Sequence, residues 1–317
     1  MWRYIEFEAP YRAVMARGDV PRPGPAEALV EAHRSGVSVG TERMWFDGTA
    51  TALRSGRRFY PYCPGYALTG RIVAAGPAFT GAPVGTRVFA MKPHGSHAVL
   101  GAGDLWLPLG HGTGDDDALG IALTATALHA VERAECRNDA VAVAGLGLLG
   151  LLLVQVLAAA VSAPVVALTG SPDKRALARD HGAALALTYD EARAGGLPPI
   201  RTWFDCSGVA SNVARLLTLA PPGGEIVLAG FYTDELTLDF EALFAKELTV
   251  KAVRSIGDGA AREGNLARAG ALIASGQVRM PLVPAQRFAA EDFAAAYGLV
   301  ADRDRSRATM RVVLEWR

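Results

Sequence analysis

The chain has 317 residues, half of them hydrophobic, and 32 Lys and Arg balance 32 Asp and Glu. That length accommodates two domains or one large one, and a net charge of zero removes the electrostatic case for a nucleic acid or an anionic membrane as partner. Residues 1–6 lack the charged and apolar regions of a signal peptide, and Cys63, Cys136 and Cys206 are far apart with no C-x-x-C pair. A cytoplasmic setting is therefore expected, without a disulfide framework or a zinc cluster.

The first hundred or so residues predict mostly β structure. Apolar runs at Ala28–His33, Thr69–Ala75 and Arg87–Ala90 are separated by turn-rich pieces at 21–25, 61–65 and Gly76-Pro77. Asp117–Val131 predicts a helix, with Asp115-Asp116-Asp117 at its N-terminus where the helix dipole favours negative charge.

From Asp139 to about Ala260 the pattern changes to strands alternating with helices, as a parallel doubly wound sheet requires. The expected strands are Ala140–Ala144, Val165–Leu168, Thr202–Asp205, Glu225–Ala229 and Leu248–Ala252, with helices such as Asp173–His181 and Ala210–Leu219 between them. The tail predicts a helix over Gly264–Ser275, an extended piece over Pro284–Phe288, a helix over Ala290–Ala301 and a closing strand over Met310–Trp316. The expected organisation is discontinuous. Residues 1–122, completed by 263–317, are expected to form a β-rich domain, and 123–262 an inserted α/β domain.

The centre of the inserted part is Val141–Gly150, V-A-V-A-G-L-G-L-L-G, where Gly145, Gly147 and Gly150 have the spacing G-x-G-x-x-G between a strand and a helix. In that context Gly145 makes the turn, Gly147 lets the backbone approach a pyrophosphate, and Gly150 lets the helix pack closely. Leu148, Leu149 and Gly150 open the helix, where unpaired N–H groups and the dipole favour an anion. The apolar stretch Ala140–Leu168 matches a membrane span in length, but Gln155, Ser162 and Pro164 interrupt it and its glycines are spaced for a turn.

Nicotinamide-dinucleotide folds place an acidic residue at the end of the second strand, on the ribose hydroxyls. Here Thr169 stands at that point, followed by Gly170, Ser171, Lys174 and Arg175. Hydroxyls and a cation suit a 2′-phosphate, so the expected cofactor is NADP(H), with NAD(H) as the alternative. Ser171 equally fits a helix cap and Lys174 a solvated charge.

This order of parts resembles the medium-chain dehydrogenase/reductase superfamily over essentially the whole chain. The markers are residues 35–42 (S-G-V-S-V-G-T-E), 64–70 (P-G-Y-A-L-T-G), the glycine fingerprint, 204–208 (F-D-C-S-G) and 222–228 (P-G-G-E-I-V-L). Within the superfamily, residues 35–48, 224–232 and 312–317 are similar to bacteriochlorophyllide 3-hydroxyethyl dehydrogenases. The chain departs from those at the loop Thr49–Tyr62 and at Ala67. The resemblance implies a Rossmann-type sheet inserted in a β-rich GroES-like catalytic domain, and oxidation of a secondary hydroxyl to a ketone. It also implies that Ser207 and Gly208 lie beside the adenosine ribose or pyrophosphate, that Leu228, Ala229 and Gly230 pass the nicotinamide, and that Ser255 and its neighbours meet the carboxamide.

Zinc-dependent members hold their metal through a Cys in the first marker, a His-Glu pair in the second and a third ligand further on. This chain offers Ser38 or Val39, then Tyr66 and Ala67, and no ligand in Gly120–Ala127, so no zinc is expected. Tyr66, at the former ligand position, is then the expected proton donor or acceptor. Thr41 is its relay, and Glu42 orients the loop or shuttles the proton. Each also has a structural reading: Tyr66 lining a cleft, Thr41 completing a turn, Glu42 pairing with a core arginine. Tyr60, Tyr62, Lys92, His94 and His97 are expected to flank the same cleft, while the arginines at 54, 57 and 58 read as a solvated loop.

Three functions are compatible with these features. The first is a zinc-independent alcohol dehydrogenase/ketone reductase acting on a small molecule, the second an NADPH-dependent enone or quinone C=C reductase, and the third a cofactor-binding protein without turnover. The last strand of the sheet, left with a free edge, predicts a homodimer.

Overall fold

The structure is a computed structural model and describes residues 1–136, 139–195, 197–280, 283–302 and 310–316. It divides into two compact units, one of Met1–Ala122 with Val283–Arg317 and one of Leu123–Leu282. Arg317, part of the C-terminal marker, lies outside the described residues.

The chain opens with the antiparallel hairpin β1 (Trp2–Ala9) and β2 (Arg12–Gly18). There follow β3 (Ala28–Val37), α1 (Thr41–Phe46), α2 (Thr51–Arg54), β4 (Leu68–Ala75), β5 (Arg87–Ala90), β6 (His97–Leu100) and β7 (Trp106–Pro108). The helix expected over Asp117–Val131 is two helices, α3 (Asp115–Ala118) and α4 (Ile121–Arg133). Gly120, a poor helix former, parts them, and its N–H turns back to the Asp117 carbonyl at 3.0 Å. The aspartates do occupy the first turn of α3. Asp115 and Asp116 also bind side chains: Asp115 pairs with Arg87 (2.5 Å) and His33 (3.1 Å), and Asp116 with Arg34 (2.6 Å) and Arg287.

The second unit continues with β8 (Ala140–Ala144), α5 (Leu148–Ala160), β9 (Val165–Leu168), α6 (Pro172–Asp180), β10 (Leu185–Leu187), α7 (Tyr189–Ala194) and β11 (Ile200–Asp205). Then come α8 (Ala210–Leu219), β12 (Glu225–Leu228), α9 (Phe240–Lys246), β13 (Thr249–Ala252) and α10 (Ala260–Ala274). Its strands form one parallel sheet in the order β10-β9-β8-β11-β12-β13, which is the doubly wound arrangement. Strands covered on both faces lose their polar alternation, and all of β8 and β9 is buried for that reason.

The tail returns to the first unit with β14 (Gln286–Ala289), a short 3₁₀ turn, α11 (Phe293–Ala301) and β15 (Val312–Glu315). β15 pairs antiparallel with β3 inside the sheet β14-β15-β3-β4-β5-β7, and β6 pairs with β3 as well. The last strand is thereby seated beside the strand that leads into α1. The core of this unit packs Ile5, Phe7, Val30, Leu68, Ile72 and Leu100 against Tyr297 and Trp316 of the tail. No helix among the described residues is long and apolar enough to cross a membrane.

Candidate active site

In the second unit, β8 ends at Ala144 and the chain turns through Gly145 into α5. Gly145 has φ +83°, and a Cβ on it would lie 2.6 Å from Ser207 Cα, so only glycine fits there. A Cβ on Gly150 would overlap the Gly145 carbonyl, which holds the helix close to its turn. Gly147 differs. It is the N-cap of α5, has φ −81°, and has nothing within 4 Å of its Cβ position. No side chain caps α5 and no acidic residue sits in its first turn, so the N–H groups of Leu148, Leu149 and Gly150 begin the helix without a side-chain partner at the cap. This cradle fits an anion such as a pyrophosphate.

At the end of β9, Thr169 Oγ1 accepts the Ser171 N–H (3.2 Å), and Ser171 Oγ caps α6 through the Lys174 N–H (3.4 Å). The capping role of Ser171 is thus realised. Arg175 bonds Glu191 at 3.2 Å. Gly170 has open space at its Cβ position.

After β11, buried Asp205 gathers the neighbouring loops. It accepts Ser207 N (3.0 Å), Ser207 Oγ (2.9 Å) and Tyr232 OH (2.6 Å), while burial raises its pKa. Gly208 (φ +65°) lies against the Phe231 carbonyl, and a Cβ on Gly230 would come within 2.6 Å of Gly208 N. Leu228, Ala229 and Gly230 therefore run beside Ser207 and Gly208. Ser255, beyond β13, holds a left-handed φ of +41°. Asp205 and Tyr232 were not recognised from sequence as organisers of these loops.

In the first unit, β3 delivers Ser38 and α1 delivers Thr41 and Glu42. Tyr66, just before β4, donates its hydroxyl to Ser38 Oγ at 2.8 Å. Burial, opposed by the bond to Ser38, pushes the Tyr66 pKa up to about 12. Tyr62 is likewise raised to about 12 by burial and stacks on Trp45 with centroids 4.2 Å apart.

Glu42 is 2 % exposed, and its partners are His94 (2.9 Å), Tyr297 (2.7 Å) and the Ser38 N–H (2.8 Å), with no arginine among them. His94, expected to flank a cleft, is instead fully buried with both ring nitrogens engaged. The other flanking residues are anchored too: Tyr60 to the Trp45 carbonyl (2.5 Å), Lys92 to Asp104 (2.6 Å) and His97 to Ser96 (3.0 Å). Sequence reasoning missed Tyr297 and gave Ser38 no hydrogen-bonding role. A seryl hydroxyl four residues before a buried Glu was the available signal for the second.

The positions at which the resemblance to zinc-dependent members expects metal ligands carry Ser38, Val39, Tyr66 and Ala67, and 120–127 supplies only Thr124 and Thr126 as polar side chains. That donor set does not fit zinc. Among the described residues no group of three or more His, Cys, Asp or Glu is placed to hold a metal ion.

A glycine cradle at the mouth of a doubly wound sheet, together with a β-rich unit carrying a hydroxyl cluster, defines the class. Residues 149–269 match the family model described as zinc-binding dehydrogenase. The chain carries that family's domain and has the fold of a medium-chain dehydrogenase/reductase, a Rossmann-type sheet inserted in a GroES-like part. The 2-desacetyl-2-hydroxyethyl bacteriochlorophyllide A dehydrogenase of Rhodobacter capsulatus is 28% identical over 93% of this chain and 92% of its own length. The enzyme of the same name from Cereibacter sphaeroides is 29% identical with the same coverage. A Sinorhizobium meliloti protein described as a zinc-binding dehydrogenase, solved with NADP bound, superposes with a TM-score of 0.83 at 20% identity over 99% of each chain. The chain is an oxidoreductase of the dehydrogenase kind.

Proposed function

We propose that this is a zinc-independent, NADP(H)-dependent oxidoreductase that interconverts a secondary alcohol and a ketone of a small molecule. The observation that carries this reading is Tyr66, a half-buried phenol bonded to Ser38, at the position where the resemblance places a metal ligand in zinc-dependent members. Bound at the Gly147 cradle, a nicotinamide dinucleotide supplies the hydride chemistry. The chain's own part is to hold the pyrophosphate on the N–H groups of Leu148, Leu149 and Gly150, to accept a 2′-phosphate at Thr169, Gly170, Ser171 and Lys174, and to manage one proton.

A phenol with a pKa near 12 is ionised to only about one part in 10⁵ at pH 7, so Tyr66 enters the reaction protonated. It gives that proton to the oxygen of a ketone undergoing reduction. In the reverse direction it passes an alcohol's proton onward through Ser38 or Thr41 in one concerted relay. Glu42 orients the loop that carries both hydroxyls. Ser207, Gly208, Leu228, Ala229, Gly230 and Ser255 line the dinucleotide path, and the catalytic side chains belong to residues 1–122 with the C-terminal tail.

The named activity of the two bacteriochlorophyllide relatives, on a hydroxyethyl group, supports the alcohol–ketone pair over the reduction of a C=C bond. A neutral phenol also suffices for protonating an enolate, which keeps enone reduction as the second reading. Titration of NADPH and NADH into the protein, followed by nicotinamide fluorescence, tests the cofactor assignment. NADPH is expected to bind more tightly and to lose that advantage in Lys174→Ala, whereas tighter NADH binding overturns the phosphate site.

A further inference from the structure

A buried run of hydrogen bonds connects the C-terminal strand to the Tyr66 cluster. Trp316 Nε1 donates to Ser35 Oγ (2.8 Å), Ser35 Oγ meets His94 Nδ1 (2.7 Å), and His94 Nε2 meets Glu42 Oε2 (2.9 Å). Tyr297 OH donates to the same carboxylate oxygen at 2.7 Å. Glu42 Oε1 takes the Ser38 N–H, and the Glu42 N–H returns to the Ser38 carbonyl, each at 2.8 Å.

One arrangement of protons satisfies every group. Ser35 accepts from Trp316 and donates to Nδ1, the Nε2–H donates to Glu42, and the Glu42 side chain collects three donors. α1 has no side-chain cap at Gly40, so the reach of Glu42 back to Ser38 is what ties its first turn to the end of β3.

His94 also touches the other partner. Its backbone N–H donates to the Pro64 carbonyl at 2.8 Å, and its ring packs so tightly on Gly65 that a Cβ there would lie 2.8 Å from ring carbons. Gly65 immediately precedes Tyr66 and has φ +102°. Both halves of the Tyr66–Ser38 pair are thus referenced to one buried histidine, and Tyr297 holds the carboxylate between them.

We propose that His94 and Tyr297 are positioning residues for proton transfer: acting through Glu42, they fix the Ser38 oxygen that the Tyr66 hydroxyl addresses. This rests on the reading of Tyr66 as the proton-transfer residue. The Tyr297 ring is held independently by Phe7 (4.9 Å) and Phe46 (5.3 Å), so Tyr297→Phe removes the hydroxyl and keeps the packing.

The test labels the full chain with [¹³Cζ]tyrosine and assigns the Tyr66 resonance by its loss in Tyr66→Phe. Ser38→Ala sets the reference displacement. Tyr297→Phe and His94→Gln are expected to move the Tyr66 resonance in the same direction by roughly half that displacement or more, with circular dichroism unchanged. They are also expected to lower kcat for NADPH-dependent reduction of acetophenone roughly tenfold while leaving KM for NADPH in place. A Tyr66 resonance at its wild-type position in folded Tyr297→Phe overturns the proposal, whatever the stability of His94→Gln. If the resonance moves but Tyr66→Phe reduces acetophenone as fast as wild type, the network still fixes the Tyr66–Ser38 contact and the proton-transfer reading is the one that fails.

Discussion

Gly145 lies directly against Ser207: a side chain on the glycine would come within 2.6 Å of the serine Cα and 2.7 Å of its Cβ. The first glycine of the fingerprint is thus held by the protein's own backbone, while Gly147 faces open space. The two positions should respond differently to the same substitution.

Gly145→Ala meets both a left-handed φ and a backbone clash, and is expected to cost more than about 1 kcal/mol of stability in urea denaturation. Gly147→Ala fits the fold, costing no more than about 1 kcal/mol, yet should weaken NADPH roughly tenfold by intruding on the cradle. Equal losses of stability in the two variants would contradict this division.

Thr169→Asp places a carboxylate where β9 ends, as NAD-binding folds do. The ratio of NADPH to NADH affinity should fall roughly tenfold or more through repulsion of the 2′-phosphate. An unchanged ratio in fluorescence titrations would mean that the loop 169–175 does not face that phosphate.

Asp115 is held at about 2, first by its hydrogen bond to His33 and then, against a burial cost, by Arg87. The folded value lies below the unfolded one, so the stabilisation is fully present above about pH 4 and is lost as pH falls through about 2. It amounts to about 2 kcal/mol. Asp115→Asn should therefore be destabilised by that order at pH 7, and the gap to wild type should close near pH 2. A constant gap across that window would rule out the linkage.

β13 ends the parallel sheet. Thr249 N and Val253 N donate inward to Gly224 O and Leu228 O, each at 3.0 Å, so by alternation the Val250 and Ala252 N–H groups face the free edge. Pairing of this edge with a second copy predicts a mass about twice 33.3 kDa in light scattering. Val250→Pro removes an outward donor without touching β12 and should yield monomer. A monomeric wild type at micromolar concentration would end the dimer proposal.

The dinucleotide half was legible because its strands are buried on both faces and its glycines are punctuation: β8, β9 and β11 lie where apolar runs and turn signals put them. The first half was harder. In β1, Trp2 and Tyr4 stack on one face (4.3 Å) while Ile5 and Phe7 are buried on the other, so no polar alternation marks the strand. α1 was hidden by Gly40 and by its length of six residues. The cluster around Tyr66 was legible only as far as residue types at fixed spacings reach. Tyr297 lies 255 positions from Glu42, and β15 brings Trp316 to Ser35 across 281, distances that no local pattern encodes.

The central claim is proton delivery by Tyr66 in place of a metal, and one assay tests it most directly. NADPH oxidation in the presence of acetophenone is followed with wild type dialysed against a chelator, and with Tyr66→Phe alongside. Turnover that survives the chelator and falls by roughly 10² or more in Tyr66→Phe is the predicted result. Turnover that disappears on chelation, returns with added zinc and is indifferent to Tyr66→Phe would contradict the account.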